Sequence, residues 1–327
     1  MTDREFTVTR VAAAQAHPAW LDPAATARKV VRWLEDAAAQ DVKLVAFPET
    51  FLGGYPFWVE LTGGARFNDA RQKKAYAEYL GAAVETVGPE ITSIVEAARD
   101  LGVFVYLGAL ERATDQARGT VFCSLLAIDP DQGLVGVHRK LMPTHEERLV
   151  WGFGDGNGLV VHQSGGLNVG GLNCWENWMP QPRHALYALG EELHVSVWPG
   201  HPRNTIDLTR FIALEGRVYS LAANGLISLA DVPPAFSLYE ELAELTTTDF
   251  CTGGSALAAP DGSWLVEPVA HEERLIVGDI DTAKVYAERQ NFDPTGHYAR
   301  PDIFNVRVDR SRRRASTFFQ TPGLLQQ

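Results

Sequence analysis

Residues 167–199, "LNVGGLNCWENWMPQPRHALYALGEELHVSVWP", hold an apolar glycine-bearing run, a crowded turn, a helix-like segment and a second apolar run. "LNVGGLNC" (167–174) has the length and composition of a buried strand, "PRHALYALGEEL" (182–193) that of a helix, and "HVSVWP" (194–199) again that of a strand. Strand, helix, strand in this order is the unit of layered α/β structure. Cys174, Trp175, Glu176, Asn177, Trp178 and Pro180 crowd the first junction, and such junctions are where α/β enzymes present side chains to a ligand. A thiol there can be buried filler, half of a disulfide, a metal ligand or a nucleophile.

The same alternation runs through the first third of the chain. "FTVTRVAAAQA", "VKLVAF" and "VFVYLGAL" read as strands, separated by helices over "DPAATARKVVRWLEDAAAQ" and "GPEITSIVEAARDLG". Asp22 caps the first helix and Pro23 opens it; the second starts near Pro89 and stops at Gly102. Further strands are expected at "TVFCSLLAID", "GLVGVHRK" and "LVVHQ". A helix is expected over "DLTRFIALEGRVYSLAANG" (207–225), and a hairpin at "DG" between "SALAAP" and "RLIVGDI". Without a repeat or a linker-like shift in composition, residues 1–302 read as one domain, 231–252 as an excursion from it, and 303–327 as a C-terminal tail, a possible oligomer contact.

Lys and Arg total 29 against 41 Asp and Glu, a net charge of −12 that repels phosphate backbones and anionic membranes. Nucleic acid and membrane are therefore excluded as expected partners, and the basic run "RSRRR" (310–314) reads as a solvated tail. The start lacks the order of a secretory signal, and no run approaches a membrane span, so a cytoplasmic protein is expected. Three widely spaced cysteines form neither a disulfide framework nor a metal pair. Cys123 and Cys251 read as small buried hydrophobes, whereas the polar company of Cys174 sets it apart.

A thiol near pKa 8.5 needs a base or cation beside it to act as a nucleophile. Two other islands offer them. In "AFPETFLGGYPFW" the apolar strand Leu44 to Phe47 ends at Glu49, a carboxylate that is either a turn cap or, among apolar neighbours, a base of raised pKa. In "HRKLMPTHEERLVWGFGDG" a strand delivers Lys140, for which Glu146 or Glu147 could supply the counter-charge. "HEERL" lacks the second histidine of a zinc motif, and the strand-like run after "GFGDGNG" argues against a phosphate loop. No metal and no organic cofactor is expected.

With these islands in order, the chain resembles the nitrilases of the carbon-nitrogen hydrolase superfamily. "FPETFLGGYPFW", "HRKLMPTHEERLVWGFGDG", "NCWENWMP", "WPG", "ALEGRVYSLAANG", "GGSALAAPDG" and "GHYARPD" match in family order, to about residue 302. The resemblance implies a four-layer α-β-β-α sandwich, with Cys174 as nucleophile, Glu49 as general base and acid, Lys140 as the stabilising cation and Glu147 as a second glutamate. Glu146 falls at the family's variable position. It further implies hydrolysis of a small-molecule nitrile by water to an acid and ammonia, and a homo-oligomer paired through the helices after the nucleophile.

Tyr55, Trp175, Trp198 and Pro199 are the expected substrate-binding residues, with Trp58 divided between pocket wall and core. An amidase, acyltransferase or cyanide-hydrolysing enzyme of the same superfamily is the rival, and a non-catalytic binding protein a remote one.

Overall fold

The computed structural model describes residues 6–114, 119–314 and 316. Along the first half lie β1 (Val8–Gln15), α1 (Pro23–Ala38), β2 (Leu44–Ala46), α2 (Trp58–Leu61), α3 (Ala70–Gly81), α4 (Pro89–Leu101), β3 (Phe104–Arg112), β4 (Val121–Asp129) and β5 (Gly133–Arg139). The second half holds β6 (His162–Ser164), β7 (Leu167–Asn173), α5 (Pro180–Ala188), β8 (Leu193–Trp198), α6 (Pro202–Thr205), α7 (Leu208–Gly216), β9 (Tyr219–Asn224) and β10 (Leu226–Ser228). It continues with α8 (Tyr239–Ala243), β11 (Asp249–Ala258), β12 (Trp264–Ala270), β13 (Arg274–Asp281) and α9 (Thr282–Arg289).

Two sheets form, ordered β13-β1-β2-β3-β4-β5 and β10-β11-β9-β8-β7-β6, with β12 added to β11. Because side chains alternate along a strand, each sheet has two apolar faces to bury. Val11, Ala13, Leu44 and Phe104 of the first sheet meet Val169, Val195, Leu221 and Leu257 of the second. The alternate residues Ala12, Val45, Val105 and Leu107 pack instead on Val30 and Leu34 of α1 and Ile91 and Ile94 of α4. On the far side, α7 places Ile212 against Ala222 and α5 places Leu186 against Leu172. Each fully buried Val, Leu, Ile or Phe side chain among these contributes about 1.5–3 kcal/mol. The result is the expected four-layer α-β-β-α sandwich.

The helix signals behave as read: Asp22 accepts from Ala25 N–H at 2.8 Å, and Gly102 stops α4 at φ +64°. Four expectations need correction. The helix expected over 207–225 ends at Gly216; Arg217 turns at φ +48°, and 219–224 is β9, parallel to β8. A short run buried on both faces carries no period to separate strand from helix. The helix expected over 182–193 ends at Ala188, a turn through Gly190 follows, and Leu193 already belongs to β8.

The "DG" turn joins β11 to β12, while "RLIVGDI" is β13 and pairs antiparallel with β1. The sequence of β12 carries no strand signal because its half-exposed residues and Pro268 look unlike a strand, although proline is tolerated at an edge. Finally, the basic tail is only partly solvated. Arg312 donates to Asp155, Asn157 and the Val137 carbonyl, and Arg313 N–H to Asp155. Residues 315 and 317–327 of the tail, and 1–5 and 115–118 of the domain, lie outside the described residues.

The 231–252 excursion is anchored in the body: Phe236, Leu238, Leu242 and Phe250 join a cluster with Trp20, Phe57 and Trp58. Among the described residues no helix is long and apolar enough to cross a membrane.

Candidate active site

The three islands converge because each follows a strand that ends in the same region. Glu49 follows β2, Lys140 follows β5 and Cys174 follows β7. The Glu49 N–H donates to the Trp198 carbonyl at 3.3 Å, joining the turn after β2 to the other sheet. That turn lies tight on β3: a Cβ at Gly108 would come within 1.9 Å of the Pro48 carbonyl oxygen and 2.8 Å of the Glu49 Cα, so only glycine fits. Thr50 (φ +44°), His145 (φ +46°) and Cys174 (φ +46°) take left-handed backbone beside the three islands. Strain of this kind, of order 1–3 kcal/mol each, gathers at functional sites.

Lys140 ties the cluster together. Its Nζ donates to Glu49 Oε1 at 2.8 Å and to Glu147 Oε2 at 2.6 Å, and all three residues are buried. Glu147 Oε2 also accepts from Thr144 N–H at 2.6 Å, and its Oε1 from the Tyr55 hydroxyl at 2.9 Å. Lys140 Nζ lies 5.3 Å from the centre of the Trp151 ring. One oxygen of Glu49, one of Glu147 and the Cys174 sulfur lie within 4.8 Å of one another. That spacing could gather a cation, and the Lys140 ammonium, bonded to both carboxylates, already supplies one.

The junction's polar residues hold the thiol in place. Glu176 accepts from Asn173 N–H (2.8 Å) and Leu141 N–H (2.6 Å) and pairs with His138 Nε2 at 3.1 Å, linking the cysteine turn to the chain around Lys140. Asn177 donates to the Cys174 carbonyl at 2.8 Å and accepts from Ser196 of β8 at 2.9 Å.

Burial raises the Glu49 pKa to about 7, with Glu147 adding to the rise and Lys140 and Cys123 opposing it. Burial also pushes the Cys174 thiol well up, reinforced by Glu49; Lys140 and the Trp175 N–H act in the opposite direction. Burial disfavours the Lys140 charge, but Cys174, Glu147 and Glu49 outweigh it and hold the ammonium charged. At rest the sulfur is therefore a thiol, beside a carboxylate that titrates near neutrality.

A cavity of about 730 Å³ opens onto Cys174, lined among others by Tyr55, Phe57, Glu147, Trp175, Pro199 and Phe250. Tyr55, Trp175 and Pro199, the expected substrate-binding residues, are among those lining this cavity. Trp198 is fully buried in the cluster that holds Cys174 and is not part of the cavity wall; Trp58 is core. Glu146 also lines the cavity, but the side chain that bonds Lys140 is Glu147.

A carbon-nitrogen hydrolase family model matches residues 10–290. The chain belongs to the carbon-nitrogen hydrolase family. This carbon-nitrogen hydrolase is 36% identical to a protein named Nitrilase 2 from an unknown prokaryotic organism, over 94% of this chain and 95% of that one. It is equally identical to an aliphatic nitrilase of Sinorhizobium fredii (93% and 96% covered) and to a bifunctional nitrilase/nitrile hydratase of Oryza sativa (94% and 86%). Among solved structures, an amidase from Nesterenkonia shares the fold at TM-score 0.61, with 19% identity and coverage of 86% and 94%.

Sequence reasoning passed over two residues of this carbon-nitrogen hydrolase's site. Cys123 reads as a small buried hydrophobe in the sequence, yet its thiol donates to Glu49 Oε1 at 3.3 Å. Its position in "TVFCSLLAI" carried no signal, because the contact depends on β4 running beside β3 and β5. Trp151 lies within "HRKLMPTHEERLVWGFGDG" with no local feature that marks it; its closeness to Lys140 Nζ arises only in the fold.

Proposed function

We propose that the chain is a nitrilase that hydrolyses an organic nitrile, with two waters, to a carboxylic acid and ammonia. The observation that carries the reading is the buried cluster in which Lys140 bridges Glu49 and Glu147 beside the Cys174 sulfur. Glu49 takes the thiol proton as the sulfur attacks the nitrile carbon, forming the C–S bond of a thioimidate whose nitrogen receives that proton. Lys140 and the Trp175 N–H stabilise the charge that develops on nitrogen. A first water, deprotonated by Glu49, adds to the thioimidate carbon, and ammonia leaves to give a thioester. A second water displaces the sulfur as the acid is released, and the thiol regains its proton. Glu147 keeps Lys140 charged and oriented.

A chamber of about 730 Å³ walled by Tyr55, Phe57, Trp175, Trp178 and Phe250 favours a nitrile with an apolar body over cyanide. We also propose a homo-oligomer, because Leu189 beyond α5 and Phe211 and Leu214 of α7 leave 48%, 48% and 39% of their surfaces exposed on one side of the sandwich. The test of function is ammonia release from aliphatic, aryl and arylaceto nitriles and from the matching amides. Faster turnover of at least one nitrile than of its amide supports the reading, and hydrolysis of amides alone would replace it with an amidase.

A further inference from the structure

The carboxylate of Glu49 is held asymmetrically. Its Oε1 accepts from Lys140 Nζ at 2.8 Å and from the Cys123 thiol at 3.3 Å, while Oε2 is buried with no hydrogen-bond partner among the described residues. A buried carboxylate oxygen without a partner is costly and calls for an explanation, and here the nearby Cys174 sulfur supplies one. Cys123 is itself only 1% exposed, and its own carbonyl accepts from Lys140 N–H at 2.8 Å. This single residue of β4 therefore touches both the base and the backbone of the cation.

We propose that Cys123 is a positioning residue: its thiol, acting with the Lys140 ammonium, pins one oxygen of Glu49 and leaves the other free to exchange a proton with Cys174. The inference rests on the nitrilase reading, in which Glu49 moves that proton. A donor to the ionised carboxylate favours the ionised form, so the thiol also extends the working range of the base to lower pH. Other titratable groups act on Glu49 or feel its charge: Lys140 after β5, Glu147 in the turn beyond it, Cys174 after β7, Cys251 on β11, Tyr55 before α2 and Tyr79 on α3. None of them changes in the test below.

The test compares kcat/KM against pH for the wild type, Cys123→Ala and Cys123→Ser, two replacements of nearly equal volume that differ by a donor. Loss of a hydrogen bond to the charged form moves the acid limb of Cys123→Ala to higher pH by roughly half a unit to one unit, and Cys123→Ser returns it toward the wild type. Cys123→Val and Cys123→Thr, matched in shape, repeat the comparison with the site filled in case the alanine variant folds poorly. Rates of Cys174 alkylation by iodoacetamide, mapped by peptide mass, give the same limb without any nitrile, so a failure of the nitrilase reading stays separate. Coincident limbs in the donor and non-donor variants, by both readouts, would overturn the proposal, because a packing role alone lowers rate or stability without moving the limb.

Discussion

Glu147→Gln removes the carboxylate charge that Lys140 meets at 2.6 Å and keeps the side chain's shape. The amide oxygen can still accept from Tyr55 or Thr144, so the turn at 145–149 survives and the perturbation is electrostatic. Taking one partner from a buried ion pair costs about 3–5 kcal/mol. Lys140 retains Glu49 at 2.8 Å, which places the cost at the lower end, about 3 kcal/mol. At about 1.4 kcal/mol per tenfold, the expected loss in kcat/KM is roughly 100-fold. Glu146 is half-buried and no hydrogen bond ties it to Lys140, so Glu146→Gln removes at most the roughly 1 kcal/mol of a partly solvated charge, about fivefold. Ammonia release measured for both variants, with circular dichroism to establish folding, decides between them. Equal, wild-type-like turnover in two folded proteins would refute the placement of the second glutamate.

Three further outcomes are expected. Because Glu49 titrates near 7 and works as a carboxylate, kcat/KM falls as pH drops through that value and is about tenfold below its plateau one unit lower, in a pH–rate profile; a limb near the ordinary carboxylate range would count against Glu49 as base. Glu176→Gln cannot accept from both Asn173 and Leu141 as the carboxylate does, so kcat drops by about tenfold or more while KM stays within about threefold; a loss confined to thermal stability would make Glu176 purely structural. Sedimentation of the wild type gives an assembly larger than the 35.9 kDa chain, and Phe211→Glu with Leu214→Glu shifts it toward the monomer; a wild-type monomer at micromolar concentration would argue against the α5 and α7 face as a contact.

Much of the sandwich was legible where sequence carries local physics. Asp22, Pro23, Pro89 and Gly102 mark helix ends by capping chemistry that needs no tertiary partner. β9 was not legible, because "YSLAAN" is buried on both faces and its strand character comes from pairing with β8 and β11. At the site, Cys174, Glu49 and Lys140 stood out as reactive types at strand ends, and their family order assigned the roles. The choice between Glu146 and Glu147 was open to residue chemistry alone and depends on which side chain the turn after Thr144 directs inward. Cys123 stayed hidden for a different reason. A cysteine within an apolar strand looks the same whether its neighbour across the layer is a leucine or a carboxylate.

Covalent capture tests the central claim most directly. Turnover of a reactive nitrile is quenched in acid, and the protein is analysed by intact mass and peptide mapping, alongside Cys174→Ala assayed for ammonia. The account predicts a thioimidate or thioester adduct on the peptide bearing Cys174, and no ammonia above background from the alanine variant. Ammonia release by Cys174→Ala at a rate near that of the wild type, or an adduct mapped to Cys123 or Cys251 instead, would contradict it.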